Sequence, residues 1–301
     1  MDHRSFLKSL TPEQRNDLNA KSDVIGLMHL AAHWGLIALI GTLIGTLIVW
    51  QVPGWPVLML IQGILLVFLF TLLHETCHLT PFATPMLNRI VGAICGCVLV
   101  LPSNWFRYFH FAHHRYTQVQ GKDPELAFPK PETWGQYITH VSGLPTYVSH
   151  FKTLVHNARG HCDDDFVPTA KLATVRREAR VLIGIYALIA LVSVSGGFWQ
   201  VLYIWIIPML LGQPFLRLYL MAEHGRCPLV ADMFANTRTT FTSFVMRKLA
   251  WNMPYHAEHH ASPTVPFHRL QDLHAMVMPH LKVTEHGYSR FHWKMITRHL
   301  R

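Results

Sequence analysis

Four long apolar runs set the plan of this chain. They cover residues 28–50, 55–73, 181–195 and 199–220. A tight-turn signal separates the members of each pair, Val52-Pro53-Gly54 in the first and Gly196-Gly197 in the second. About 20 apolar residues cross the ~30 Å of bilayer hydrocarbon as a helix. The pattern therefore predicts two membrane hairpins. Trp50 closes the first run as an interfacial aromatic, and His29 and His33 near its start read as residues of the polar interface.

Residues 85–101 are apolar too, but only Ile90 to Leu101 runs uninterrupted. That length makes about 18 Å of helix, too short to cross, so the segment is expected to lie at the interface. A full crossing would also put His74 and His78 on the opposite side from His110, His113 and His114. The remainder is polar. Residues 1–27 carry a helix start at Thr11-Pro12-Glu13-Gln14. Residues 115–180 read as loop, with Pro124, Pro129, Pro131, Pro145 and Pro168 and the acidic run Asp163-Asp164-Asp165.

Charge orients this arrangement. The connections near 51–54 and 196–198 have no Lys or Arg, and only Arg217 of the 26 basic residues falls inside an expected span. Basic residues stay on the cytoplasmic side of membrane proteins. Both termini, residues 79–180 and residues 221–301 are therefore expected in the cytoplasm. The fold class that follows is an all-α integral membrane protein, one domain over 1–301, with four transmembrane helices as two hairpins, an interfacial helix and a helical cytosolic cap.

Composition agrees. Half of the 301 residues are hydrophobic and 14% are charged, against about 25% charged in soluble domains. The net charge of +9 is dispersed, without the dense basic stripe of a nucleic-acid binder. Cys77, Cys95, Cys97, Cys162 and Cys227 have no disulfide-framework spacing and read as reduced thiols. The first 25 residues do not read as a signal peptide.

The chemistry lies in three histidine clusters. His256-Ala257-Glu258-His259-His260 and His110-Phe111-Ala112-His113-His114 place imidazoles at i, i+3 and i+4, and His74-Glu75-Thr76-Cys77-His78 places them at i and i+4. Those spacings share one helix face. Imidazole is a ligand for Fe, Zn, Cu and Ni. The first cluster spells His-Glu-x-x-His, the zinc-protease pattern, but one zinc with three protein ligands leaves most of these imidazoles without use. A metal transporter binds near the bilayer midplane, whereas these clusters sit at span ends. So many imidazoles fit two metals sharing one pocket. His161-Cys162-Asp163 matches no ligand spacing and reads as solvated loop. Glu75, Asp123, Glu223 and Glu258 adjoin the histidines and are candidates to accept their second ring N–H, as carboxylates do around metal-bound imidazole. Gln213 and Arg217 are candidates to hold a polar head group, although Arg217 reads more simply as reaching to the interface.

The three boxes, in this order after two hairpins, resemble the signature of the membrane fatty acid desaturase superfamily, which includes acyl and sphingolipid desaturases, carotenoid hydroxylases and ketolases, and alkane hydroxylases. The resemblance covers about residues 30–275. It implies a non-haem centre of two Fe ions held by His74, His78, His110, His113, His114, His256, His259 and His260. It adds His224, after the fourth span, as a ninth ligand. It also implies O2 as co-substrate and a lipid or acyl substrate drawn from the membrane. The chain contains no His-Pro-Gly-Gly haem signature, so electrons are expected from a separate ferredoxin-like or haem protein. The expected reaction is desaturation of a fatty acyl chain, with hydroxylation or ketone formation on a lipid or carotenoid as the alternative. An intramembrane metalloprotease is the lesser reading.

Overall fold

A computed structural model describes residues 1–127 and 130–300. Two short helices, α1 (His3–Ser9) and α2 (Pro12–Leu18), lead the chain. Thr11 caps α2 in a reciprocal capping box with Gln14, which satisfies two otherwise free backbone N–H groups. The first span is α3 (Asp23–Val49), and α4 (Trp55–Val67) with α5 (Leu69–Cys77) makes the second. Gly54 turns the hairpin with φ +109°, a conformation that suits glycine.

Next come α6 (Pro85–Val98) and α7 (Ser103–Tyr116), bent by 101° to each other. They do not form one straight crossing. Helix α6 exposes Met86, Ile90 and Ile94, one stripe at helical spacing, and buries Asn88, Val91 and Cys95, as an interfacial helix should. Residues 115–180 are not all loop, contrary to the sequence expectation. They contain α8 (Trp134–Ser142) and α9 (Leu144–Ala158), joined at Gly143 with φ +69°. Pro145 misled the reading, because a proline in the first turn starts a helix as readily as it interrupts one.

The third span, α10 (Leu172–Gly196), begins nine residues before its apolar run and so includes Arg176, Arg177 and Arg180. Glu178 in this extension accepts from the Asn104 backbone N–H and the Ser103 hydroxyl at the start of α7, a carboxylate at a helix N-terminus. The fourth span runs from Leu202 to His224, a π-helical turn leading into α11 (Ile207–His224). The loosened turn has a partner: Gln62, buried in the second span, donates to the Ile204 carbonyl at 3.1 Å. Spans two and four cross closely. A Cβ on Gly63 would fall 2.0 Å from the Pro208 carbonyl oxygen, and one on Gly212 would fall 2.2 Å from that of Gly63.

The C-terminal cap holds α12 (Met233–Asn236), α13 (Phe244–Leu249), α14 (His256–Ala261), α15 (Leu270–Val277) and α16 (Tyr288–His299). Strands β1 (Thr239–Phe241) and β2 (Thr284–His286) pair in parallel, Thr240 opposite Glu285. The main core joins the spans to this cap and includes Phe68, Leu72, Phe234, Trp251, Phe267 and Leu273. His33 corrects the interface reading. It is buried, with Nε2 2.9 Å from the Leu65 carbonyl and Nδ1 accepting from the Trp251 indole. It bolts the first span to the second and to the cap.

Candidate metal centre

Four segments meet where spans two and four end on one side of the molecule. Helix α5 carries His74 to its last turn, with His78 at its C-cap; α7 carries His110, His113 and His114; α11 ends at His224; α14 carries His256, His259 and His260. Non-glycine residues in the left-handed region adjoin all four segments. They are Leu79, Gln118, Arg226 and the pair Trp251 and Asn252. Such conformations cost about 1–3 kcal/mol each and persist where surrounding structure enforces them. Here they break each chain direction beside its histidines. Asn252 is held by its amide donating to the Phe267 carbonyl at 2.9 Å.

The nine imidazoles close into one cage with two halves. Ring nitrogens of His74, His110, His114 and His259 lie within 4.8 Å of one another, and those of His113, His224 and His260 form a second such group. His78 joins the first, with Nε2 2.8 Å from that of His110. His256 joins the second, with Nε2 3.1 Å from that of His224. The rings of His114 and His260 stack at 4.1 Å and link the halves.

The outer ring nitrogens identify which atoms face inward. Nδ1 of His113 lies 2.9 Å from Asp123 Oδ1, and Nδ1 of His260 lies 3.2 Å from the Thr117 hydroxyl. That hydroxyl already donates to the His113 carbonyl, so it accepts from His260. The Asn236 carbonyl faces His224 Nδ1 at 3.4 Å. Glu75 stands 3.4 Å from His259 Nδ1, and Glu223 the same distance from His256 Nδ1. A proton held on Nδ1 leaves the Nε2 lone pair for a metal.

The cage fits metal ions. Nε2 of His74, His114, His259 and His260 is buried and has no hydrogen-bond partner among the described residues. Buried polar atoms are rarely left unpaired. Two nitrogens on one metal with bonds of 2.0–2.1 Å sit about 2.9 Å apart at a right angle and about 3.3 Å at a tetrahedral one, near the 2.8 and 3.1 Å between facing nitrogens. Burial, together with the neighbouring imidazoles, drives His110, His114, His256, His259 and His260 well below the ordinary histidine pKa, and burial with nearby cations brings His78 to about 3. Neutral rings keep their lone pairs. His113 is the exception: burial pulls it down, but Glu125 and Asp123 outweigh that and raise it.

Two sequence expectations change. Glu258 touches none of the nine histidines. It points away, accepting from the Thr239 hydroxyl and contacting His274, and so ties α14 to β1 and α15. Thr117 and the Asn236 carbonyl do face the cage, and no local pattern marks them. Glu75 stands behind the His259 ring. It is fully buried, and its Oε2 accepts from Thr80 and from the Phe267 N–H. Both of its oxygens are thus turned to protein groups, Oε2 to Thr80 and Phe267 and Oε1 to the His259 ring. His161 and Asp163 are exposed, away from the cage. Arg217 contacts Thr146 at 3.5 Å.

A helical membrane protein with a cage of imidazoles fit for metal at the end of its spans is a narrow class. The sequence profile described as Fatty acid desaturase matches residues 53–294, and the chain belongs to that family. Relatives include a sphingolipid delta(4)-desaturase of Drosophila melanogaster, 26% identical over 70% of this chain and 62% of its own length. A dihydrorhizobitoxine desaturase of Bradyrhizobium elkanii is 26% identical over 81% and 73%, and a fatty acid conjugase of Calendula officinalis is 25% identical over 75% and 68%. The chain thus spans less than two thirds of the first relative and somewhat more of the other two.

Proposed function

We propose that this protein is a membrane oxidoreductase that desaturates a lipid-linked acyl chain, using O2 and two iron ions held by the nine histidines. The convergence of nine imidazoles, four of them with unpaired buried Nε2 atoms, carries this reading. An all-imidazole cage departs from the two-His-one-carboxylate set of mononuclear iron oxygenases. When bound, iron supplies the oxidising chemistry that draws on O2.

The balance is simple. Two hydrogens leave adjacent carbons, O2 accepts them with two electrons and two protons, and an alkene and two waters result. The electrons come from a separate donor, ferredoxin-like or haem-containing. The chain's own residues do the holding. Asp123, Thr117 and the Asn236 carbonyl fix three rings, and Glu75 and Glu223 orient two more. The cage's place at the ends of spans two and four supports a substrate chain that enters from the bilayer. Cytoplasmic orientation is supported by the basic residues on the histidine side.

Protein expressed with ample iron is expected to hold about two irons per chain, and His259→Ala to lose both metal and activity. One zinc per chain would overturn the metal assignment. Mass spectrometry of lipids from cells with and without the protein tests the reaction: acyl chains two mass units lighter support desaturation. A gain of sixteen, or of fourteen on a carotenoid, would replace it with hydroxylation or ketone formation.

A further inference from the structure

No Asp, Glu, Lys or Arg occurs between Trp134 and Phe151; the nearest charges are Glu132 and Lys152. This segment is the α8–α9 hairpin. Its outward side is apolar, with Ile138, Leu144, Val148 and Phe151 each more than half exposed. Several of its polar groups turn inward, while Gln136 and Thr139 on α8 are exposed. The Tyr147 hydroxyl donates to the Met209 carbonyl at 3.0 Å, Tyr137 bonds His292, and Thr146 meets Arg217. A water-facing hairpin would be expected to show the reverse, since contiguous apolar patches on soluble surfaces are small.

Two neighbouring helices measure its depth. Gly143 abuts Gln213, where a Cβ would fall 2.0 Å from Gln213 Cγ, and Tyr147 reaches Met209. Along α11 those residues lie about 16 and about 22 Å from His224, within a span that runs from Leu202 to His224. The third span gives a second ruler. Its charged turn, Arg176 to Arg180, marks the membrane boundary, and Arg180 donates to the Ala158 carbonyl at the end of α9. Leu154 packs on Ala179 and Leu182, so α9 and α10 run antiparallel and earlier residues of α9 lie deeper. Leu144 is then about 15 Å below Leu154. Both rulers put Gly143 about midway into a hydrocarbon layer ~30 Å thick.

We propose that residues 134–151 form a re-entrant hairpin seated in the membrane leaflet on the histidine side, with lipid acyl chains covering Ile138, Leu144, Val148 and Phe151. Non-helical backbone at such depth is tolerated only where protein covers it, and the Gly143 corner is buried against Gln213. Lys152, His156 and Arg159 then stand at the level of the lipid head groups, beside a groove of about 450 Å³. The proposal does not depend on the reaction catalysed.

The test uses the full chain in phosphatidylcholine–phosphatidylglycerol vesicles, with the five native cysteines changed to serine and a bimane label at Leu144→Cys, Val148→Cys or Asp165→Cys. Lipids carrying a nitroxide deep in the acyl chain are expected to quench the first two labels and leave the third to aqueous iodide. Iodide quenching of all three alike would overturn the hairpin's placement. Should the serine background fail to fold, 4-benzoylphenylalanine at Leu144 of the otherwise native chain replaces it. Photo-adducts with lipid acyl chains support the proposal. Their absence there, while the same group at lipid-facing Leu210 yields them, overturns it.

Discussion

At the scale of single residues, the carboxylates around the cage divide into two kinds. Glu75, Asp123 and Glu223 face imidazole Nδ1 atoms, whereas Glu258 faces Thr239 and His274. Substituting an outer partner of a metal-bound histidine lowers metal affinity by about 10–100-fold. Glu75→Gln and Asp123→Asn are therefore expected to lose iron to a chelator at concentrations that leave the unaltered protein loaded. Glu258→Gln is expected to behave differently. It weakens the tie between α14, β1 and α15, lowering the unfolding temperature in detergent while the folded fraction keeps its iron. Equal iron loss in all three would place Glu258 among the cage's supports after all. Eight of the nine histidines were legible because i, i+3 and i+4 spacing is a local signal, whereas His224 has no such neighbours and rested on the family resemblance. Which glutamate serves the cage was not legible, because each partner arrives from a distant segment.

At the scale of elements, the apolar runs located the four spans but not their ends. Helix α10 starts before its apolar run because Arg176, Arg177 and Arg180 belong to its end on the histidine side, and Glu178 is held there by α7. The α8–α9 hairpin was missed for a different reason: histidine, threonine and serine dilute its apolar pattern, and Tyr137, Thr146 and Tyr147 find their partners in distant segments. The crossing of spans two and four rests on absent side chains, a contact that no periodicity reveals. Backbones approach closely in membranes where residues are small. Gly63→Ala and Gly212→Ala must push carbonyls aside, since each new Cβ would fall 2.0–2.2 Å from an oxygen. Overpacking costs about 1–3 kcal/mol. Both variants are expected to unfold at lower temperature in detergent, whereas Gly45→Ala, with nothing within 4 Å of its Cβ, is expected to match the parent. A parent-like Gly212→Ala would show that the spans separate easily and that their contact is not a fixed seam.

At the scale of the whole molecule, charge and the gathering of the histidines point to the same topology. A shared cage requires the ends of α5, α7, α11 and α14 on one side, and the structure brings their nine histidines together. Lys and Arg are absent from α3, α4 and α5, and in α10 they occupy only the turns before the apolar run. Of the basic residues deeper than those turns, Arg217 alone stays within a span, close to the histidine side. The loops at Gln51 and Gly197 carry no positive charge and close the hairpins at the opposite end. Positive residues are retained in the cytoplasm, so the cage and both termini are expected there, with the two loops facing outward. Single cysteines at Gln51 and Gly197 are expected to react with a membrane-impermeant maleimide on intact cells, and those at Asp165 and Ser289 only after permeabilisation. Reaction of Asp165→Cys from outside would require α6 and α7 to cross the bilayer as one unit. That would separate His74 and His78 from the helix that follows α10 in sequence, and a single cage of nine imidazoles could not then form.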